Sequence, residues 1–153
     1  FAGRCDVYTT DASGLSATRA QADDPSKWVV LPNIISKEPL GPLVRHGDHQ
    51  WGDVVRWSLN TMIIAEELGL SSGNVDSNMN SNVPEILRVL GVEGEYGAML
   101  ELDNKFAYNI IKQVGNYAES FDRNIGPDTP LGIGRNLNAL WTDGGILYAP
   151  PFR

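Results

Sequence analysis

The run from Trp51 to Leu68 constrains the fold more than any other stretch of the chain. Trp51, Val54, Val55, Leu59, Met62 and Ile63 follow the three-and-four spacing of one helical face. Trp57, Ile64, Ala65 and Leu68 widen that face, so the helix is expected to be deeply packed. Asp48 stands where an N-cap belongs, and Gly69 stands where a left-handed C′ residue would stop the helix. This is also the longest apolar-rich run. Asp53, Arg56, Glu66 and Glu67 interrupt it, and no run approaches the ~18 apolar residues that a bilayer span needs.

A chain of 153 residues is one domain's worth and long enough for a sizeable core. Its 42% hydrophobic and 20% charged residues are those of a globular protein rather than a disordered one. The net charge of −7 argues against nucleic acid as a partner, because phosphate binding needs a basic surface. Cys5 is the only cysteine, so no internal disulfide can form. Inside a predicted strand it is expected to be a small buried hydrophobe.

Cys5 to Tyr8 has the β-branched and aromatic content of a short strand, entered almost at once by Phe1-Ala2-Gly3. Thr9-Thr10-Asp11-Ala12-Ser13 follows, a cluster that caps helices, and a helix is expected from Ser13 to Ala22. Asp11 therefore sits where a strand's carboxyl end hands over to a helix, the edge at which open α/β sheets bind ligands. By its residues alone Asp11 is an N-cap or a capping neighbour. A carboxylate there also suits a cation such as an ammonium group.

Ala22 to Lys27 is a turn cluster, and Trp28 to Leu31 has the pattern of a buried strand. Prolines at 32, 39 and 42 keep the next stretch extended, with Leu43-Val44-Arg45 as a last short strand. Beyond the central helix, Ser71 to Asn82 holds four asparagines and four serines and is expected to be loop. Pro84 starts a short helix from Glu85 to Leu90 that Gly91 ends. Val92 to Leu102 is weakly helical or irregular. Asp103 then caps a second long helix reaching about Asp122, with Phe106, Ala107, Ile110, Ile111, Val114, Tyr117, Ala118 and Phe121 on its core face. Gly126-Pro127 terminates it. Leu131 to Leu140 is a short helix, and Thr142 to Arg153 a Gly/Pro-rich tail.

Other chemistry finds little support in the residues. His46 and His49 form H-x-x-H around Asp48, but no third or fourth zinc ligand is signposted and Gly47 makes the pair a turn. Gly132-Ile133-Gly134 begins a dinucleotide fingerprint, yet Leu137 replaces its third glycine and no strand precedes it. Neither a metal nor a cofactor is expected. Glu101 and Asp103 are the nearest thing to a paired-carboxylate site, and a helix start explains them better. Ser13 and Ser16 lie near Asp11 without a histidine placed to serve them.

Three stretches carry a family resemblance. Gly3-Arg4-Cys5-Asp6-Val7-Tyr8-Thr9-Thr10-Asp11 resembles the approach to the amino-group ligand in periplasmic amino-acid-binding proteins of ABC transporters. Val29 to Arg45 is similar to the segment of those proteins that crosses back between lobes. Leu137-Asn138-Ala139-Leu140-Trp141-Thr142-Asp143-Gly144-Gly145-Ile146-Leu147-Tyr148-Ala149-Pro150-Pro151-Phe152-Arg153 resembles the C-terminus of the general L-amino-acid receptor subfamily.

The resemblance implies an α/β protein, the C-terminal part of a type II periplasmic-binding-protein fold, mainly helical with a few short strands. Residues 1–33 would end the second lobe. Residues 34–153 would cross back, complete the first lobe and add a helical C-terminal extension. The implied function is that of a solute-binding protein in the periplasm, not an enzyme, which clamps a free L-amino acid and presents it to an inner-membrane permease. Asp11 would bind the α-ammonium, with Thr10 and Ser13 as neighbours. The family's arginine and helix N-termini for the α-carboxylate lie upstream of Phe1, so the chain resembles a fragment that binds weakly or not at all by itself. Gly52 replaces a bulky aromatic of the relatives, and His49 an acidic residue.

Two other classes are compatible with the sequence. One is an enzyme on the same fold, similar to cyclohexadienyl dehydratases, which would need acid/base groups beyond Asp11. The other is a protein-interaction module, marked by an apolar patch on the Trp51–Leu68 or Phe106–Phe121 helix. Unpaired strand edges would favour pairing with a second copy of the chain. Light scattering is expected to give a mass that rises with concentration, and a strictly monomeric mass throughout would contradict the pairing.

Overall fold

The computed structural model describes residues 3–153. The chain divides into two compact units, one of residues up to Gly41 with Asp122–Arg135, the other of Pro42–Phe121 with Asn136–Arg153. Six α-helices occur among the described residues: α1 Ala12–Ala20, α2 His49–Glu67, α3 Val75–Asn78, α4 Pro84–Val89, α5 Phe106–Val114 and α6 Tyr117–Asn124. Short 3-10 turns cover Pro25–Lys27, Ala98–Leu100, Asn136–Asn138 and Trp141–Asp143.

The second unit holds the core. The central helix forms where its spacing and caps predict. The Asp48 carboxylate accepts from Trp51 N at 3.1 Å, closing the N-terminus. At the other end Gly69 takes φ +67°. Gly69 N donates to Glu66 O at 3.0 Å and Leu70 N to Ala65 O at 2.7 Å, the paired bonds of a Schellman stop. Gly91 repeats the device after α4, with Gly91 N on Arg88 O and Val92 N on Leu87 O.

Burial in α2 is uneven. Thr61, Ile63, Ile64 and Ala65 are buried, whereas Trp51 and Leu59 are exposed. The deep packing expected of the whole helix is concentrated in its C-terminal half, where the core cluster takes Ile63, Ile64 and Ala65, while Trp57 packs against that core only partly buried. At Gly52 a Cβ would sit in ordinary contact with Val44 Cγ2, at 3.6 Å.

The second long helix breaks in two at Gly115-Asn116. Gly115 takes φ +94°, and a Cβ there would meet the Glu119 side chain at 2.8 Å. Asn116 starts α6 by a reciprocal cap: its Oδ1 accepts from Glu119 N at 2.9 Å, and its own N donates to Glu119 Oε2 at 2.8 Å. Buried Asn116 also donates through Nδ2 to Leu70 O at 2.8 Å, and Ser72 Oγ donates to Glu119 Oε1 at 2.5 Å. The break thus ties the end of α2 to the α5–α6 corner. Nor is 71–82 all loop. Val75 is fully buried and nucleates α3, which packs on α5.

The tail is part of the core rather than an appendage. Phe152 is 3% exposed. Its ring lies edge-on to Trp57 at 5.1 Å and Tyr96 at 5.5 Å, and stacks near Phe106 at 6.1 Å. Arg88 Nε holds its carbonyl at 3.2 Å. Residues 131–140 do not form the expected helix beyond the turn at 136–138. Leu140 instead bridges Leu147, and Gly145 passes so close that a Cβ would lie 1.8 Å from Ala139 O.

The first unit differs in kind. Among its described residues no hydrophobic side chain is buried. The segments expected as strands at 5–8 and 28–31, and that at 43–45 in the second unit, are not paired with any other strand. Val7, Val29, Leu31, Ile34 and Ile35 are each at least two-thirds exposed or close to it, and Cys5 is exposed rather than buried. A strand is stabilised by its neighbour's ladder and by the face it covers, and among the described residues these segments form no ladder. The expected strand entry at Phe1 and Ala2 lies outside the described residues.

Two substitutions test the core. Phe152→Ala should cost about 3–5 kcal/mol by denaturant unfolding. Thr61→Val should be neutral or stabilising, because the Thr61 hydroxyl is buried without a hydrogen-bond partner among the described residues.

Candidate ligand-binding site

Asp11 lies at the N-terminus of α1 with extended backbone, φ −60° and ψ 157°. Its two carboxylate oxygens do different things. Oδ1 accepts from Gly14 N at 2.8 Å and from the Ser13 hydroxyl. Oδ2 receives only the Thr10 hydroxyl, at 3.4 Å, among the bonds its neighbours make. Sequence reasoning named all three of these residues, and the fold brings them together around one carboxylate. The capping role that the residues implied is the one the geometry displays. The Ser13 hydroxyl, then the Gly14 N–H, hold the Asp11 carboxyl below its ordinary pKa.

Gly14 was not singled out in the sequence. A Cβ at this position would meet Asp11 Oδ2 at 2.9 Å and Thr10 Cγ2 at 3.0 Å. The glycine lets the carboxylate lie over the first turn of the helix. A glycine three residues after a capping Asp was the signal available.

Other candidates stay apart from this cluster. His46 and His49 are exposed, with His49 the first residue of α2. Among the described residues no group of three or more His, Cys, Asp or Glu side chains could hold a metal ion. Asp103 accepts from Lys105 N at 2.7 Å just before α5. Asp76, Tyr108 and Lys112 form an exposed cluster on α3 and α5. There the Lys112 ammonium, 2.7 Å away, lowers the Asp76 carboxyl pKa, with help from the Tyr108 hydroxyl. No helix among the described residues is long and apolar enough to cross a membrane.

The Asp11 contacts set a pH dependence. A carboxyl whose folded pKa is depressed stabilises the fold above the unfolded value of about 3.9, and that stability is lost as pH falls through the folded pKa. The protection of the Gly14 amide, relative to its intrinsic exchange rate at each pH, should therefore fall below about pH 4. Asp11→Asn, which keeps a capping oxygen, should preserve Gly14 protection at pH 7, whereas Asp11→Ala should lose it. Hydrogen exchange followed by NMR checks both.

No protein-family model matches the chain. It is 56% identical over 154 residues to the general L-amino acid-binding periplasmic protein AapJ of Rhizobium johnstonii, covering 99% of this chain and 45% of that protein. It is 54% identical over 153 residues to the glutamate/glutamine/aspartate/asparagine-binding protein BztA of Rhodobacter capsulatus, with the same coverage. A solved structure of an ABC transporter periplasmic binding protein from Brucella ovis, with glutathione bound, is 50% identical. It superposes with a TM-score of 0.94 over 99% of this chain and 48% of that one. The chain thus spans a little under half the length of the relatives it matches. Over nearly all of its residues the chain is a homologue of part of the periplasmic amino-acid-binding proteins of ABC transporters, and its fold is part of theirs.

Proposed function

We propose that the chain is the C-terminal portion of a periplasmic solute-binding protein that captures free L-amino acids for import by an ABC transporter. In this reading Asp11 receives the ligand's α-ammonium. The observation that carries it is the division of labour in the Asp11 carboxylate. Oδ1 is committed to the helix cap, while Oδ2 has one long hydrogen bond and remains able to accept a charge-assisted one. The lowered pKa keeps the group anionic at neutral pH, as an ammonium partner requires.

The ligand named for the Brucella ovis structure fits the same chemistry. The γ-glutamyl end of glutathione carries a free α-ammonium and α-carboxylate, the head group of an amino acid. A site that reads this head group and leaves the side chain loosely held would accept both. In this reading the activity is binding, for which a capped, anionic carboxylate suited to holding a cation is enough.

The first unit supports a larger whole. Its extended segments at 5–8 and 28–31 carry apolar side chains that a neighbouring layer would cover. The remaining half of such a receptor would supply that layer, the α-carboxylate ligands and the surface that meets the permease. In this reading residues 1–33 end the second lobe, and residues 34–153 cross back, complete the first lobe and add its helical extension.

The test uses two proteins, this chain and a chimera in which it replaces the matching segment of AapJ. Each is melted with the twenty L-amino acids and glutathione at millimolar concentration. A ligand at ~100 times its dissociation constant adds about 2.7 kcal/mol. The chimera's midpoint should rise by several degrees with amino acids, and the chain alone should move little. Asp11→Asn in the chimera should abolish the rise while leaving its ligand-free midpoint close to the parent's. A rise that survives Asp11→Asn would remove Asp11 from the site.

A further inference from the structure

The Trp141 and Tyr148 rings meet nearly at right angles, 73° between planes and 5.7 Å between centroids. They form two walls of a corner and are exposed, Trp141 by 50% and Tyr148 by 69%. The corner borders a recess of about 190 Å³ between the end of α2, the start of α4 and the tail. Two carboxylates line the same recess, Glu67 from α2 and Glu85 from α4. Glu67 Oε1 accepts from Trp141 Nε1 at 3.2 Å, which fixes the indole and leaves the second Glu67 oxygen uncommitted to it. Neither Glu67 nor Glu85 is in an ion pair among the described residues.

We infer that this recess is a binding site for an organic cation, an ammonium or guanidinium group carried on a short apolar stem. Aromatic faces attract such groups through the ring quadrupole, and two carboxylates beside them add charge attraction. Ile64 and Leu68 supply apolar lining for a stem. The volume lies below the 300–1,000 Å³ usual for sites that enclose a drug-sized molecule. It suits a group the size of one lysine or arginine side chain. Anions are disfavoured by the carboxylates. Arg153, also on the lining, is the one cationic side chain there and opposes the ligand by charge. The site lies wholly in the second unit and does not depend on the amino-acid reading of Asp11.

The experiment titrates the 153-residue chain with butylammonium, butylguanidinium, tetramethylammonium and 1-butanol, following the Trp141 indole N–H by NMR, with Trp141→Phe assigning the signal. The cations should shift that signal saturably and butanol should not. Tyr148→Ala and Glu85→Gln should each weaken cation binding about two- to fivefold, and Arg153→Gln should tighten it. Glu67→Gln, which keeps an acceptor for the indole, provides a second carboxylate variant should Glu85→Gln lower the melting temperature. Tighter binding of the butyl cations would mark the source as a partner protein's lysine or arginine, and tighter binding of tetramethylammonium a free quaternary solute. Equal shifts with butanol, or affinities unmoved by both carboxylate variants, would overturn the site.

Discussion

The insertion of one ring, Phe152, ties the C-terminal tail into the core of the second unit. The tail before it is rich in glycine and proline and has no helix of its own to keep it in place. Phe152 packs against side chains from α2, from α5 and from the irregular stretch around Tyr96. Burying an aromatic side chain stabilises by a few kcal/mol, enough to offset the ordering of several tail residues. The Leu140–Leu147 bridge, the fixed indole of Trp141 and the recess beside it lie in the same anchored tail. A tail anchored near its end is drawn across the helices, and the backbone must pass itself closely at Ala139 and Gly145, where only glycine fits.

The first unit stands at the opposite limit. It has a helix with a well-made cap and two extended segments of β-forming residues, but among its described residues no hydrophobic side chain is fully buried. Each exposed Val, Leu or Ile would contribute about 1.5–3 kcal/mol on full burial. Residues such as Val29, Leu31, Ile34 and Ile35 together hold a large driving force toward a covering layer. The homologues are about twice as long, and the high structural similarity over 99% of the chain shows that these elements have the homologous geometry. Local backbone preference survives the lack of a ladder. Strand pairing does not.

How much was legible in the sequence depended on whether the signal was local. Both Schellman stops, at Gly69 and Gly91, could be read because a glycine after an apolar period is a short-range mark. The N-caps at Asp48 and Asp11 were equally plain. The break at Gly115-Asn116 was missed although its signal was present. Apolar spacing ran on across it, and the N-x-x-E pattern from Asn116 to Glu119, a capping box, was overridden by the longer period. Val75 and Phe152 were hidden for another reason. Each lies in a polar or Gly/Pro-rich stretch, and its burial comes from residues distant in sequence, so no local window could show it. The strands failed because β pairing is a non-local contract, and a sequence states only one side of it.

In the proposed reading Asp11 is a capping residue and a ligand-binding residue at once. A carboxylate has two oxygens and about four lone-pair directions, while a helix N-terminus needs only one or two of them. Ser13 and the Gly14 N–H use Oδ1 and fix the carboxylate's orientation. They also depress its pKa, so charge is secured before any ligand arrives. Gly14 adds the steric part, because any side chain there would press on Oδ2 and Thr10. In that reading the capping bonds do not compete with binding. They hold the second oxygen in a set position, which would reduce the ordering that an ammonium ligand otherwise has to impose.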